Sequence, residues 1–145
     1  MDVKDLIGLP YLTDKMSVVI TGWIVDRPAG LLILGDHNPP DYRFPIFIKI
    51  KNFNIIYPIL AEVPKLAGGN SLLFYRTIIG GEIIIDNDLL VQVDTCSIET
   101  VRGSGVFYEI NLDRNALDNY VNKFGDYVFC TSVNVSDDWI NDVPN

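Results

Sequence analysis

Few residues in this chain have the type and spacing that chemistry demands. His37, between Asp36 and Asp41, is the only histidine and so the one candidate for proton transfer near neutral pH. It stands in GDHNPPDY, Gly35 to Tyr42, a loop by composition whose Pro39 and Pro40 cannot donate to a strand ladder, and no nucleophile signature lies near it. Gly103, Ser104 and Gly105 lack the G-x-S-x-G spacing of a nucleophile elbow and read as a turn. Asp86 and Asp88 begin like a calcium loop, but Leu90 occupies the next ligand position, and the required glycine and distal glutamate are missing. Cys96 and Cys130 lie 34 positions apart without a C-x-x-C pair, which suits buried free thiols rather than zinc ligands. The glycine pairs at 68 and 80 lack the lysine and hydroxyl residue of a phosphate loop. The expectation is a binding protein and not an enzyme, with no catalytic residue, no metal and no cofactor.

Binding candidates are the charged and aromatic side chains. The formal charge is −8, and it is uneven: residues 1 to 102 carry nine Lys or Arg against twelve Asp or Glu, residues 103 to 145 two against seven. Negative charge repels a phosphate backbone and attracts a basic protein, so nucleic acid is the less favoured partner. Asp137 and Asp138 precede Trp139, and Asp142 follows closely. Asp118 and Asp126 lie on or beside a predicted helix, and Asp86 and Asp88 flank a predicted turn that would project both carboxylates from one end of a sheet. Carboxylates around an exposed aromatic would steer and anchor a basic partner, the charge raising the encounter rate and the ring supplying desolvated area.

With 145 residues, a charge of −8, one histidine and the acidic run Asp137, Asp138, Trp139, Ile140, Asn141, Asp142, the chain resembles the small acidic immunity proteins of bacterial contact-dependent growth inhibition. That resemblance implies a tight stoichiometric complex with a cognate toxin domain, often a basic nuclease, whose active or substrate-binding surface is masked. Its toxin-binding residues would be Asp86, Asp88, Asp118, Asp126, Asp137, Asp138, Trp139 and Asp142.

A different constellation occupies the first half, where Trp23, Arg27, Tyr42, Arg43, Phe44, Phe47, Lys49, Lys51, Tyr75 and Arg76 interleave aromatic and basic side chains. Between Lys15 and Arg76 there are seven basic and four acidic residues. Aromatics on a sheet with flanking cations stack and track single strands. Together with Gly22, the order of predicted elements over residues 16 to 102 resembles an oligonucleotide-binding barrel. It implies an alternative, single-strand nucleic-acid binding through Trp23, Phe44, Tyr75 and the neighbouring cations.

The elements that must position these residues are mostly strands. Ile and Val together number 32, and their β-branched side chains pack well on a pleated surface. Residues 2 to 9 suit about one helical turn, ended by Gly8 and Pro10. Met16 to Asp26 reads as a long strand with Gly22 a bulge or a point of close backbone approach, and Pro28, Ala29 and Gly30 turn it into Leu31 to Leu34. Phe44 to Ile50 alternates core and solvent faces. Residues 53 to 66 fit either a helix interrupted by Pro58 or a broken strand. Ser71 to Asp94 reads as three strands, with turns at Gly80–Gly81 and at Asp86–Asp88. Val106 to Ile110 and Tyr127 to Val133 read as further strands. Asp113 to Phe124 has an N-cap aspartate, apolar residues at three- and four-residue steps, and Gly125 at its end, so it reads as a helix. The fold expected is a single α+β domain, residues 1 to 145, mainly antiparallel β, a barrel or two packed curved sheets, with one helix near the C-terminus at about 113–124. The start of the chain does not read as a signal peptide, and no apolar run approaches the ~18 residues needed to span a bilayer, so the expected setting is the cytoplasm, away from membranes.

Overall fold

A computed structural model of the protein describes residues 2–9, 12–35, 46–63 and 73–129. Its elements in chain order are α1 (Val3–Ile7), β1 (Ser17–Arg27), β2 (Gly30–Leu34), β3 (Phe47–Ile50), a 3-10 turn (Phe53–Ile55), α2 (Ile56–Glu62), β4 (Phe74–Asp86), β5 (Asp88–Ile98), β6 (Tyr108–Glu109) and α3 (Arg114–Phe124). The strands run in the order β3-β2-β1-β4-β5-β6. A parallel pairing of β3 with β5, Lys49 with Leu90 and Ile50 with Val91, closes the first five into a barrel. The architecture is therefore α+β and mainly antiparallel, and of the two packings expected it is the barrel. Among the described residues no helix is long and apolar enough to cross a membrane.

Alternation decides which side chains fill the barrel. On β4, Tyr75, Thr77, Ile79 and Ile83 are buried while their neighbours are half-exposed. Ile20 and Ile24 of β1, Leu31 and Ile33 of β2, and Ile48 and Ile50 of β3 join Tyr75, Ile79 and Ile83 in one cluster, which also takes in Val3 and Leu6 of α1 and Ile55, Ile56 and Ile59 around α2. Each such side chain contributes about 1.5–3 kcal/mol on leaving water. Gly22 is a point of close approach: a Cβ there would lie 2.5 Å from the Leu34 carbonyl oxygen and 2.6 Å from Ile33 Cγ2.

The stretch Ser71 to Asp94 departs from the three-strand expectation. From Phe74 onward it holds two strands, because β4 runs unbroken through Gly80 and Gly81 to Asp86. The glycine pair faces a bulge in β5: Gly80 is opposite Thr95 and Gly81 opposite Val93, leaving Asp94 as the extra residue. A Cβ on Gly81 would sit 2.1 Å from the Gln92 carbonyl oxygen, and one on Gly80 2.5 Å from Thr95 Oγ1. Glycine is needed here for space beside the bulge, not to reverse the chain. The reversal comes at Asp86, Asn87 and Asp88, with Asn87 at φ 63° and Asp86 paired to Asp88.

Residues 53–62 are helical, and Pro58 falls in the first turn of α2, where its missing N–H costs little. In α3 the Asp113 side chain accepts from the Ala116 amide (3.3 Å), and Gly125 at φ 75° ends the helix. The strand expected from Tyr127 is absent over residues 127–129, and the rest of that stretch lies outside the described residues. Tyr127 is drawn instead into an aromatic cluster with Tyr57 and Phe129 (ring centroids 5.5 and 4.8 Å), and its amide donates to Asn54 Oδ1 (2.9 Å).

Candidate functional site

The outer face of β1 and β2 carries the aromatic and basic residues that suggested stacking on a single strand. It is a second apolar cluster: Trp23, Val25, Leu32 and Leu34 are buried, with Phe47 and Phe74 packed against them. Trp23 lies 5.0 Å from Phe74, centroid to centroid. Arg102 covers both rings, its guanidinium carbon 5.5 Å from the Trp23 centroid and 5.0 Å from that of Phe74, and donates through Nη2 to the Phe74 carbonyl (2.9 Å). Arg27 sits over Phe47 in the same way, at 4.8 Å. Cations that lie on the rings occupy the π-faces that a base would need. Tyr75 points into the barrel and is 5% exposed. Phe44, the third stacking candidate, lies outside the described residues.

The loop bearing Arg102 is set by a buried carboxylate. Glu99, 5% exposed, accepts from the Gly103 amide through Oε1 (3.1 Å) and from the Gly105 amide through Oε2 (2.9 Å). Both glycines have positive φ, 80° and 73°, and nothing lies within 4 Å of where a Cβ would stand. Their role is conformational, and Ser104 between them belongs to this turn.

The expected toxin-binding carboxylates are dispersed over several elements. Asp86 and Asp88 are exposed at the tip of the β4–β5 hairpin, which Asp14 braces by accepting from the Ile85 amide (2.8 Å). Asp118 is exposed on α3. Asp126 is exposed just beyond it, but one of its oxygens accepts from Asn54 Nδ2 (2.9 Å), tying the end of α3 to the 3-10 turn. Asp137, Asp138, Trp139 and Asp142 lie outside the described residues, as do His37, Cys130 and the glycine pair at 68.

The structure also brings together acidic residues that the linear reading missed. Asp94 and Glu109 line one cleft of about 340 Å³ with Thr95, Ile110, Asn111 and Leu112. The bulge aims Asp94 outward, and β6 lays Glu109 beside Ser97. One signal was present: inward residues step by two from Val91 to Val93 and then by three to Cys96, which is what an extra residue in a strand looks like. Cys96 itself is fully buried, and burial pushes its thiol up to about 12 against the opposing effect of a hydrogen bond with Thr77. It is a protonated core side chain and no nucleophile. Among the described residues no group of three or more His, Cys, Asp and Glu is arranged to hold a metal ion. No protein-family model matches the chain, and no curated protein and no solved structure shows significant similarity to it.

Proposed function

We propose that this chain is a stoichiometric protein inhibitor of the immunity-protein kind, which binds a basic toxin domain and covers its active or substrate-binding surface. The observation that supports this reading is that exposed large apolar side chains and exposed carboxylates occur together in three segments: Ile85 (48% exposed) and Asp86 at the β4–β5 tip, Tyr108 (61%) and Glu109 on β6, and Phe124 (60%) and Asp126 at the end of α3. Carboxylates steer a basic partner into encounter, and exposed apolar side chains of the same segments supply area to desolvate once it arrives. Carboxylates also take the place that phosphate would occupy against the toxin's Lys and Arg.

The test begins with the gene upstream of this chain's: if it encodes the end of a large secreted protein with a variable basic C-terminal domain, that domain is the toxin candidate to be used. The wild-type chain is expected to form a one-to-one complex with that domain and relieve its growth arrest. Asp86→Lys with Asp88→Lys is expected to slow association and flatten its response to salt. Failure of the wild-type chain to bind or protect sinks the reading.

Barrel connectivity supports a second reading. The order β3-β2-β1-β4-β5, closed by a parallel β3–β5 pair, with a helix between β3 and β4, is like that of an oligonucleotide-binding barrel. The burial of Trp23 and Tyr75 counts against stacking on this face. Tight binding of a labelled single-stranded oligonucleotide at low salt, falling steeply as salt rises, would favour this reading over the inhibitor.

A further inference from the structure

Among the described residues the sheet ends at β6. Ile110 donates its amide to the Cys96 carbonyl (2.8 Å), and Tyr108, of the same parity, pairs with Ile98. In an antiparallel pair, alternate residues direct their N–H and C=O groups to opposite edges. The backbone groups of Phe107 and Glu109 therefore face away from β5. Asn111, next in that parity, has its amide 3.4 Å from Glu62 Oε2, so a carboxylate already takes one donor on this edge.

Exposed edges are ordinarily blunted with lysine, proline or a covering element. Val106 to Ile110 contains neither lysine nor proline, and Val106 and Tyr108 are 57% and 61% exposed. The edge is also held in place, since Glu99 fixes the turn that leads into it. Beside it lies the cleft lined by Asp94 and Glu109, two carboxylates that would attract a positive charge.

We propose that the outer edge of β6 takes up an extended basic segment of the partner protein as an added strand, with its Lys or Arg side chains entering the Asp94–Glu109 cleft. Main-chain hydrogen bonds would supply affinity and the cleft selectivity, as in other cases of strand addition. This inference rests on the inhibitor reading and names the surface through which it works.

The probe is a blocked peptide of alternating lysine and valine, with an alternating glutamate and valine peptide beside it, each titrated into the nitrogen-15-labelled full chain. The basic peptide is expected to shift the amides of Phe107, Glu109 and Asn111, and the acidic one to leave them unmoved. Glu109→Pro removes an outward-facing donor without touching the amide that Ile110 gives to Cys96. It should weaken the basic peptide by at least about tenfold, and Asp94→Asn should weaken it by a smaller factor. Basic-peptide shifts located elsewhere, or none at all, overturn the proposal. Should Glu109→Pro fail to fold, the wild-type shift map decides alone. With the toxin domain as probe, undiminished binding to a folded Glu109→Pro chain overturns the edge and spares the inhibitor reading. No binding to the wild-type chain sinks the inhibitor reading, while the peptide titration still decides the edge.

Discussion

Asn52 holds Val93 with both ends of its carboxamide: Nδ2 donates to the Val93 carbonyl and Oδ1 accepts from the Val93 amide, each at 2.8 Å. The parallel pairing of β3 ends at Ile50, opposite Val91, and one side chain continues the ladder by a further residue. Val93 is 4% exposed, so an Asn52→Ala chain would leave both of its backbone groups unpaired in the interior. A loss of about 2–4 kcal/mol is expected in urea unfolding. Asn52→Asp keeps the acceptor and loses the donor, and should also destabilise. A loss under about 0.5 kcal/mol for the alanine variant would mean the pair closes nothing.

Gly80 and Gly81 are adjacent on β4 and face the bulge differently, which separates their substitutions. A Cβ on Gly81 meets the Gln92 backbone at 2.1 Å, so Gly81→Ala must move a strand and is expected to cost about 3 kcal/mol or to abolish folding. A Cβ on Gly80 meets Thr95 Oγ1 at 2.5 Å but Thr95 Cβ at 3.8 Å. Gly80→Ala should therefore cost about 1–3 kcal/mol alone and recover most of it when combined with Thr95→Ala. Purely additive thermal-denaturation losses for that pair would show that the clash is not what excludes a side chain there.

Much of the barrel was legible because local patterns needed no partner to be read. The β1–β2 hairpin, the alternation of Ile48 and Ile50 with Lys49, and the Asp113 and Gly125 caps of α3 all match the sequence expectation. Gly80–Gly81 misled because a glycine pair between apolar runs has two causes, a turn or a close neighbouring strand, and only the neighbour tells them apart. Trp23 misled for a related reason. The structure places it on the outer face, and whether that face is open depends on Phe74 and Arg102, which lie far along the chain. The Asp94–Glu109 cleft required both a bulge and a pairing across the 99–107 loop. The carboxylates of the tail remain sequence expectations, whereas the exposure of Asp86, Asp88 and Asp118 is structural.

Glu99 gives a prediction about order rather than fold. Its two carboxylate oxygens satisfy the amides of Gly103 and Gly105, and Glu99→Gln keeps one acceptor while its new N–H₂ group must face a donor. A loss of about 1–3 kcal/mol is expected. Its signature is local: amide exchange at Gly103 and Gly105 should speed up by far more than at Ile79 in the barrel. Because this turn carries Arg102, the indole of Trp23 should also become more accessible to a fluorescence quencher. Uniform acceleration across the chain would instead make Glu99 an ordinary contributor to global stability.

Cys96 predicts how stability depends on alkaline pH. The unfolded thiol titrates near its ordinary value of 9.0, while burial holds the folded one up at about 12. Above about pH 9 the unfolded chain therefore releases a proton that the folded chain retains, and ionisation favours unfolding. The contribution is fully present below pH 9 and is lost progressively between pH 9 and about 12, by as much as about 4 kcal/mol across that window. The informative quantity is the difference between wild type and Cys96→Ala, in which every contribution common to the two chains cancels. At about pH 8 the variant should be less stable because it leaves a small cavity among Thr77, Ile79 and Ile98. As the pH rises the wild type should fall toward it, because the alanine chain has no thiol to ionise in the unfolded state. Cys130 is common to both chains and cancels. Stability curves that run parallel from about pH 8 to 11 would mean that Cys96 titrates alike in the folded and unfolded chain, and hence that it is not sealed in the core.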